Sequence, residues 1–203
     1  MRKQGRGIVF GVLFIVAFGV RAFGMQTLDF DSSSPVPVPW PTYAGYLIQD
    51  AQDEQGAYWG FVWLSRVYSD PDLRPSIDPN FDPNFQMVVD ACLDILKVNT
   101  ATIETALVAA GLESPARDDA TALCTSNPRP VDCLYRFARS SIGRYRDRWL
   151  LLEQNVAQAA VDAATRQTLL RAMETLMKNW TDISDLLFEY TDVGRPGRPS
   201  VDD

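Results

Sequence analysis

The last third of the chain has a pattern that permits little except long α-helices. From Val131 to Val193 there is no proline, and the only glycine is Gly143. Apolar residues recur there at alternating intervals of four and three, the spacing that keeps side chains on one face of an α-helix. One series is Tyr145, Trp149, Leu152, Val156, Ala159 and Ala163; the other is Leu169, Met173, Leu176, Trp180, Ile183, Leu187 and Tyr190.

The two series are out of register near Thr165, because continuing the first would put Arg166 on the apolar face. We therefore predict two long helices folded back on each other, with Asp162 or Thr165 as the N-cap of the second. One continuous helix over 131–190 is the alternative; it would be about 90 Å long and would suit a coiled-coil assembly. The predicted fold class is all-α, a small helical bundle with a long C-terminal helical hairpin.

The N-terminus is typical of a cleavable secretory signal over residues 1–24. Its basic residues are Arg2, Lys3 and Arg6, and they precede the apolar run Ile8–Val20. Ala22-Phe23-Gly24 is a small-x-small cleavage site. The run has 13 residues, whereas a membrane-spanning helix needs about 20. We expect an exported protein, periplasmic or extracellular, with no transmembrane segment after cleavage; an uncleaved anchor is the alternative.

Three further segments are predicted after the signal. Residues 25–42 end in four prolines that alternate with other residues, Pro35, Pro37, Pro39 and Pro41, which favours an extended leader. Residues 43–193 form the helical domain, and 194–203 form a disordered tail. Within the domain, 43–68 is ambiguous, because the aromatic and β-branched residues of 58–64 favour a strand. We favour a helix there, with a minor β-hairpin over 43–68 as the alternative.

The middle of the chain contains a tandem repeat, Asp78-Pro79-Asn80-Phe81 followed by Asp82-Pro83-Asn84-Phe85. Asp82 as N-cap and Pro83 at the first helical position predict a helix that runs to about Val98. A second, short helix is predicted from Asn99 or Thr100 to Gly111. The repeat supplies the first ligand positions of a calcium loop, but the glycine and glutamate that such a loop needs are replaced, so no metal is predicted.

The three cysteines predict one disulfide and one buried thiol. Cys124 and Cys133 enclose a loop that contains two prolines, and an exported protein can keep such a bond oxidised. Closing so short a loop stabilises a fold by about 2–3 kcal/mol. Cys92 has helical spacing with Phe85, Val89 and Leu96, so we expect it in the core. A bridge from Cys92 to one of the other two is the alternative.

The chain has no histidine, which excludes Ser-His-Asp and Cys-His catalysis and histidine-based zinc sites. Carboxylates are then the main route to catalysis. Glu113-Ser114 resembles the acid-serine pair of lytic transglycosylases, but the Gly-Leu-Met-Gln-type segment of that family is missing, so we expect a solvated loop acid. No catalytic residue and no cofactor are predicted.

Charged residues are distributed unevenly along the chain. Removing 1–24 would take away four of the 19 basic residues and none of the 26 acidic ones, so the net charge would fall from −7 to −11. This argues against nucleic-acid binding, which depends on clustered basic residues. Residues 129–148 instead carry six arginines against two aspartates. Five of them are predicted to fan around one face of a helix: Arg136, Arg139, Arg144, Arg146 and Arg148.

The arginine face predicts a binding site for a protein partner or another acidic ligand. Its alternative is a solvated face that pairs with the domain's own acids. The predicted function is an exported helical protein-binding or structural module. The alternatives are a carboxylate-dependent glycan hydrolase of the cell envelope and a self-assembling envelope or filament subunit, and an oligomer would suit the last.

Overall fold

The computed structural model describes residues 38–77, 82–116, 121–154 and 161–194. It contains helices α1 (Trp40–Ser69), α2 (Arg74–Ile77), α3 (Asn84–Ala109), α4 (Pro130–Gln154) and α5 (Ala163–Phe188). The described ranges contain no strand, so the predicted all-α class is confirmed. The predicted signal 1–24, most of the leader and residues 195–203 of the tail lie outside the described residues.

The four long helices form a bundle. α3 packs between α1 and α5, and α5 packs along α4, whereas α1 and α4 approach each other at few points. The core contains large side chains from all four helices, each worth about 1.5–3 kcal/mol on burial. The largest are Trp180, Tyr43, Tyr145, Phe61, Phe85, Leu47, Leu64, Leu96, Ile103, Leu107, Leu134 and Leu152. None of the described helices has the length and apolar content that crossing a membrane requires.

The predicted C-terminal hairpin is confirmed, since 131–190 is divided between α4 and α5. Asp162 is the N-cap of α5: its Oδ1 accepts a hydrogen bond from the Thr165 backbone N–H at 2.8 Å. Its Oδ2 accepts from the Thr165 hydroxyl at 3.1 Å. Both candidate residues therefore take part in starting the second helix, and Asp162 supplies the cap.

The β-hairpin alternative for 43–68 is wrong, because α1 runs through the whole segment and begins at Trp40, inside the predicted leader. Phe61 and Leu64 of the aromatic stretch are buried on one side of α1, while Trp59 is exposed. Their helical spacing suits the bundle core, and burial in tertiary structure outweighs the strand preference of these residue types.

The predicted break between two helices at Asn99 is also wrong, because α3 continues to Ala109. Instead of capping a helix, the buried Asn99 side chain accepts a hydrogen bond from Asn179 Nδ2 of α5 at 2.8 Å. Gly111 follows the helix end as predicted, with a φ of 68° that favours glycine. The Leu112 N–H donates to the Leu107 carbonyl at 2.9 Å and closes the last turn.

The cysteines are arranged as predicted. Cys124 and Cys133 form a disulfide, and Cys92 is a free, buried thiol of the core. Burial raises the pKa of the Cys92 thiol to about 12. It is therefore protonated near neutral pH and unsuited to act as a nucleophile.

The segment that leads into the disulfide loop lies directly on α1. The Leu123 N–H donates to the Gly56 carbonyl at 3.0 Å. One turn further along, a Cβ at Gly60 would lie 2.5 Å from the Leu123 carbonyl oxygen. Glycine at position 60 is therefore required by the close approach of two backbones, although glycine weakens a helix interior.

We expect Gly60→Ala to lower the free energy of unfolding by about 1–3 kcal/mol, because the new methyl group must displace the backbone at Leu123. Gly143→Ala is the matched control, since nothing lies within 4 Å of a Cβ at that helical glycine. The control should be neutral or stabilise by up to about 1 kcal/mol. Urea denaturation measures both, and equal effects would contradict the proposed contact.

Candidate functional site

A polar cluster joins α1 to α4 inside the bundle. Asp50 of α1 is completely buried. Arg148 Nε of α4 lies 3.2 Å from Asp50 Oδ2, and Arg144 Nε lies 3.4 Å from Asp50 Oδ1. Arg144 Nη1 also pairs with the half-buried Asp53. The two arginines are one helical turn apart, so both reach the same carboxylate.

Other contacts hold the two guanidinium groups in place. Arg144 Nη2 donates to the buried Ser141 hydroxyl at 3.0 Å. The Arg148 guanidinium lies 4.0 Å from the centroid of the Tyr46 ring, in cation–π geometry. Only 19% of the Arg144 side chain and 12% of the Arg148 side chain are exposed. The charges of these two arginines are therefore engaged within the domain.

Glu54, one turn after Asp50, brings α1, α4 and α5 together. The Tyr145 hydroxyl and the Trp180 Nε1–H each donate to Glu54 Oε1 at 2.6 Å. Glu54 Oε2 and the buried Asn99 Nδ2 of α3 make no hydrogen bond of good geometry, but the Asn99 side chain lies close enough to act in lowering the pKa of Glu54. This carboxyl is fully buried, and each hydrogen bond to it comes from a different helix.

Burial raises the pKa of Glu54 to about 6, although hydrogen bonds from Tyr145 and Trp180 and the charge of Arg144 act to lower it. Burial also raises the pKa of Asp50, and the two arginines oppose that effect. The pKa of Tyr145 lies well above its ordinary value, because of burial and then because of the nearby Glu54 and Asp50. Tyr145 thus keeps its proton and remains a donor to Glu54.

The other three predicted arginines are exposed: Arg136, Arg139 and Arg146. At about 100° per residue they fall within an arc of about 80° on α4, spread over about 15 Å. Arg144 and Arg148 lie about 80° and 120° from Arg136 around the helix. We call the three exposed residues the arginine patch. The structure thus divides the predicted five-arginine face into a surface part and an interior part.

The sixth arginine of the basic segment, Arg129, lies in the disulfide loop. Arg129 Nη1 pairs with Asp192 Oδ2, just after α5. The Asp192 backbone N–H in turn donates to Asp132 Oδ1 of α4 at 2.9 Å. The loop closed by Cys124 and Cys133 is therefore tied to the end of α5, beside the first turn of α4.

Among the described acids, Asp132 and Asp192 interact directly: burial and the nearby Asp192 carboxyl raise the pKa of Asp132, although the hydrogen bond from the Asp192 backbone N–H acts to lower it. Glu113 and Ser114 are exposed in the loop after α3. Two surface grooves, of about 200 Å³ between α1 and α3 and about 250 Å³ between α3 and α5, contain only Glu104 as an acid. No group of three or more potential metal ligands assembles within the described residues.

The buried acids were not predicted from the sequence, although a signal for them exists. Residues of α1 recur at alternating intervals of four and three, and every member is buried: Tyr43, Leu47, Asp50, Glu54, Ala57, Phe61, Leu64 and Tyr68. Asp50 and Glu54 thus occupy core positions of a helical pattern. A pair of acids at core positions is the sign that basic or hydrogen-bonding partners face them.

In comparisons with protein-family models, with curated protein sequences and with solved structures, no match to this chain was found. Its function is therefore inferred from its own geometry.

We expect Arg144→Ala to lower the free energy of unfolding by about 3–5 kcal/mol, because it removes one partner of a buried ion pair. The control is Arg139→Ala on the exposed side of the same helix, which should change stability by no more than about 0.5 kcal/mol. Urea denaturation of both variants measures the difference. A similar small loss in both would show that the Asp50 cluster contributes little to stability.

Glu54 should make the protein more stable in mild acid. Its pKa is about 6 when folded and 4.5 in its ordinary state, so between these values the folded form binds more protons. The contribution of Glu54 to stability therefore rises as pH falls through this interval, by about 2 kcal/mol. Glu54→Gln should remove this part of the pH dependence in urea titrations, whereas Glu153→Gln at an exposed site should leave it. A Glu54→Gln profile parallel to that of the original protein would contradict the expectation.

Proposed function

We propose that this chain is an exported, all-helical binding module whose arginine patch contacts an acidic protein surface. One observation carries the proposal. Arg136, Arg139 and Arg146 lie side by side on the exposed face of α4, in a chain whose net charge is −7. The neighbouring Arg144 and Arg148 are engaged inside the domain and do not contribute to this surface.

The electrostatics of the arginine patch support the binding of an acidic partner. Among the described residues, neither Arg136 nor Arg139 forms an ion pair, and Arg146 pairs only with its neighbour Asp147, at 3.2 Å. The three residues bring positive charge to a stretch of α4 about 15 Å long, with Asp132 and Asp147 as acids beside them. Carboxylates of a partner would add ion pairs to these guanidinium groups, and arginine binds carboxylates through paired hydrogen bonds. An acidic partner would also be steered toward this face during association.

Two features of the chain support export. The signal-like pattern of residues 1–24 is the first. The second is the Cys124–Cys133 disulfide, a type of bond that persists in oxidising compartments such as a periplasm or the extracellular space. An exported location would bring the arginine patch into contact with envelope or extracellular proteins.

The test reverses the charge of the patch. The triple variant Arg136→Glu, Arg139→Glu and Arg146→Glu is compared with a control that reverses three exposed cations elsewhere: Arg66, Arg171 and Lys178. Both variants have the same net charge, so a difference between them reports the position of the charges. Circular dichroism checks that both remain folded. Arg144 and Arg148 are left intact, because reversing them would disrupt the core.

Proteins are captured by cross-linking in an extract from the native source and identified by mass spectrometry. We expect at least one acidic protein to be captured by the original chain and by the control variant but not by the patch variant. Light scattering is run in parallel, because the acidic chain could itself be the partner. An oligomer that dissociates only in the patch variant would identify a second copy as the partner. If no association distinguishes the two variants, the proposal is wrong.

A further inference from the structure

The groove between α1 and α3 has features of a ligand site, distinct from the arginine patch. It has a volume of about 200 Å³ and is lined by Gln55, Tyr58 and Trp59 of α1 and by Lys97, Thr100 and Glu104 of α3. We propose that this groove binds one ring of a neutral carbohydrate. The proposal does not depend on the arginine patch, since none of its residues lies on α4.

Two aromatic rings line one side of the groove. Tyr58 and Trp59 lie edge to face, with centroids 5.5 Å apart and ring planes at 73°. The Trp59 side chain is 41% exposed, so part of its apolar surface faces solvent. Aromatic faces carry partial negative charge. The C–H groups on one face of a pyranose ring carry partial positive charge and can pack against an aromatic face. The hydroxyl groups of the sugar then remain available for hydrogen bonds.

A buried polar side chain at the groove lacks a full set of partners. Gln55 is 8% exposed, and its Oε1 has no hydrogen-bond partner. Its Nε2 donates to the Pro115 carbonyl at 3.5 Å, which is a long contact. The terminal torsion of glutamine has a broad energy minimum, so the carboxamide can turn its oxygen toward the groove. A ligand hydroxyl that donates to this oxygen would satisfy an otherwise unpaired buried acceptor.

The charges at the groove favour a neutral ligand. Lys97 and Glu104 bring opposite charges to its α3 side, and Lys97 Nζ is held by Asp94 at 2.7 Å. An anionic ligand would meet Glu104, and a cationic ligand would meet Lys97. A volume of about 200 Å³ is also below the roughly 300–1,000 Å³ of pockets for larger organic ligands. One polyhydroxylated ring matches both the size and the mixed polarity.

The experiment follows the Trp59 indole N–H by NMR while cellobiose, maltose or N,N′-diacetylchitobiose is added to the purified protein at millimolar concentrations. We expect at least one disaccharide to shift this signal in a saturable way. Trp59→Ala should weaken its binding by roughly tenfold or more, as measured by calorimetry. Phe188→Ala is the matched control, because that aromatic side chain is 42% exposed and lies outside the groove.

Gln55→Leu tests the hydrogen-bonding part of the proposal and should weaken binding to a similar extent. If that buried substitution unfolds the protein, as circular dichroism would show, the exposed Trp59→Ala variant decides the outcome. The proposal is overturned if no disaccharide shifts the Trp59 signal, or if affinity survives Trp59→Ala. It is also overturned if an arginine-containing peptide or inorganic phosphate binds the groove in preference to the sugars.

Discussion

The bundle depends on keeping two buried carboxyl groups of α1 paired with side chains of other helices. Charged groups are costly to bury unless ion pairs and hydrogen bonds replace the water that they lose. Asp50 receives two guanidinium groups, and Glu54 receives a phenol and an indole. The two guanidinium groups and the phenol connect α1 to α4, which approach each other at few points, and the indole connects α1 to α5. The polar cluster therefore holds α1 against α4, whereas apolar packing joins the other neighbouring helices of the bundle.

Local patterns predicted much of this fold. The apolar spacing in 131–190, its loss of register near Thr165 and the capping capacity of Asp162 together predicted the C-terminal hairpin. The two-proline loop predicted the Cys124–Cys133 pairing. Each of these inferences needed only residues close together in sequence, for which helix periodicity and capping give direct rules.

The parts that were missed needed residues far apart in sequence. Asp50 and Glu54 occupy core positions of the α1 pattern, which indicates that partners face them, but the local sequence does not identify those partners, which lie 91 to 126 residues later. Because Arg144 and Arg148 pair with Asp50 in the interior, they do not belong to the exposed arginine face that the sequence predicts. The local sequence predicts Asn99 as a helix cap, whereas its hydrogen-bond partner in the structure, Asn179, is 80 residues away. In each case a tertiary contact decides whether a polar side chain is structural or available at the surface.

The cluster also determines how α1 and α4 align along their length. The helices run antiparallel: Asp50 meets Arg148, while Glu54, further along α1, meets the earlier Tyr145. Sliding α4 by one turn, about 5.4 Å, would place Leu152 where Arg148 now meets Asp50, or Ser141 where Tyr145 now meets Glu54. Because Arg144 and Arg148 are one turn apart, either shift would leave Asp50 facing one arginine instead of two, whereas leucine-rich seams alone would tolerate the displacement better. The charged residues thus favour this alignment of α1 with α4 among several that apolar contacts alone would permit.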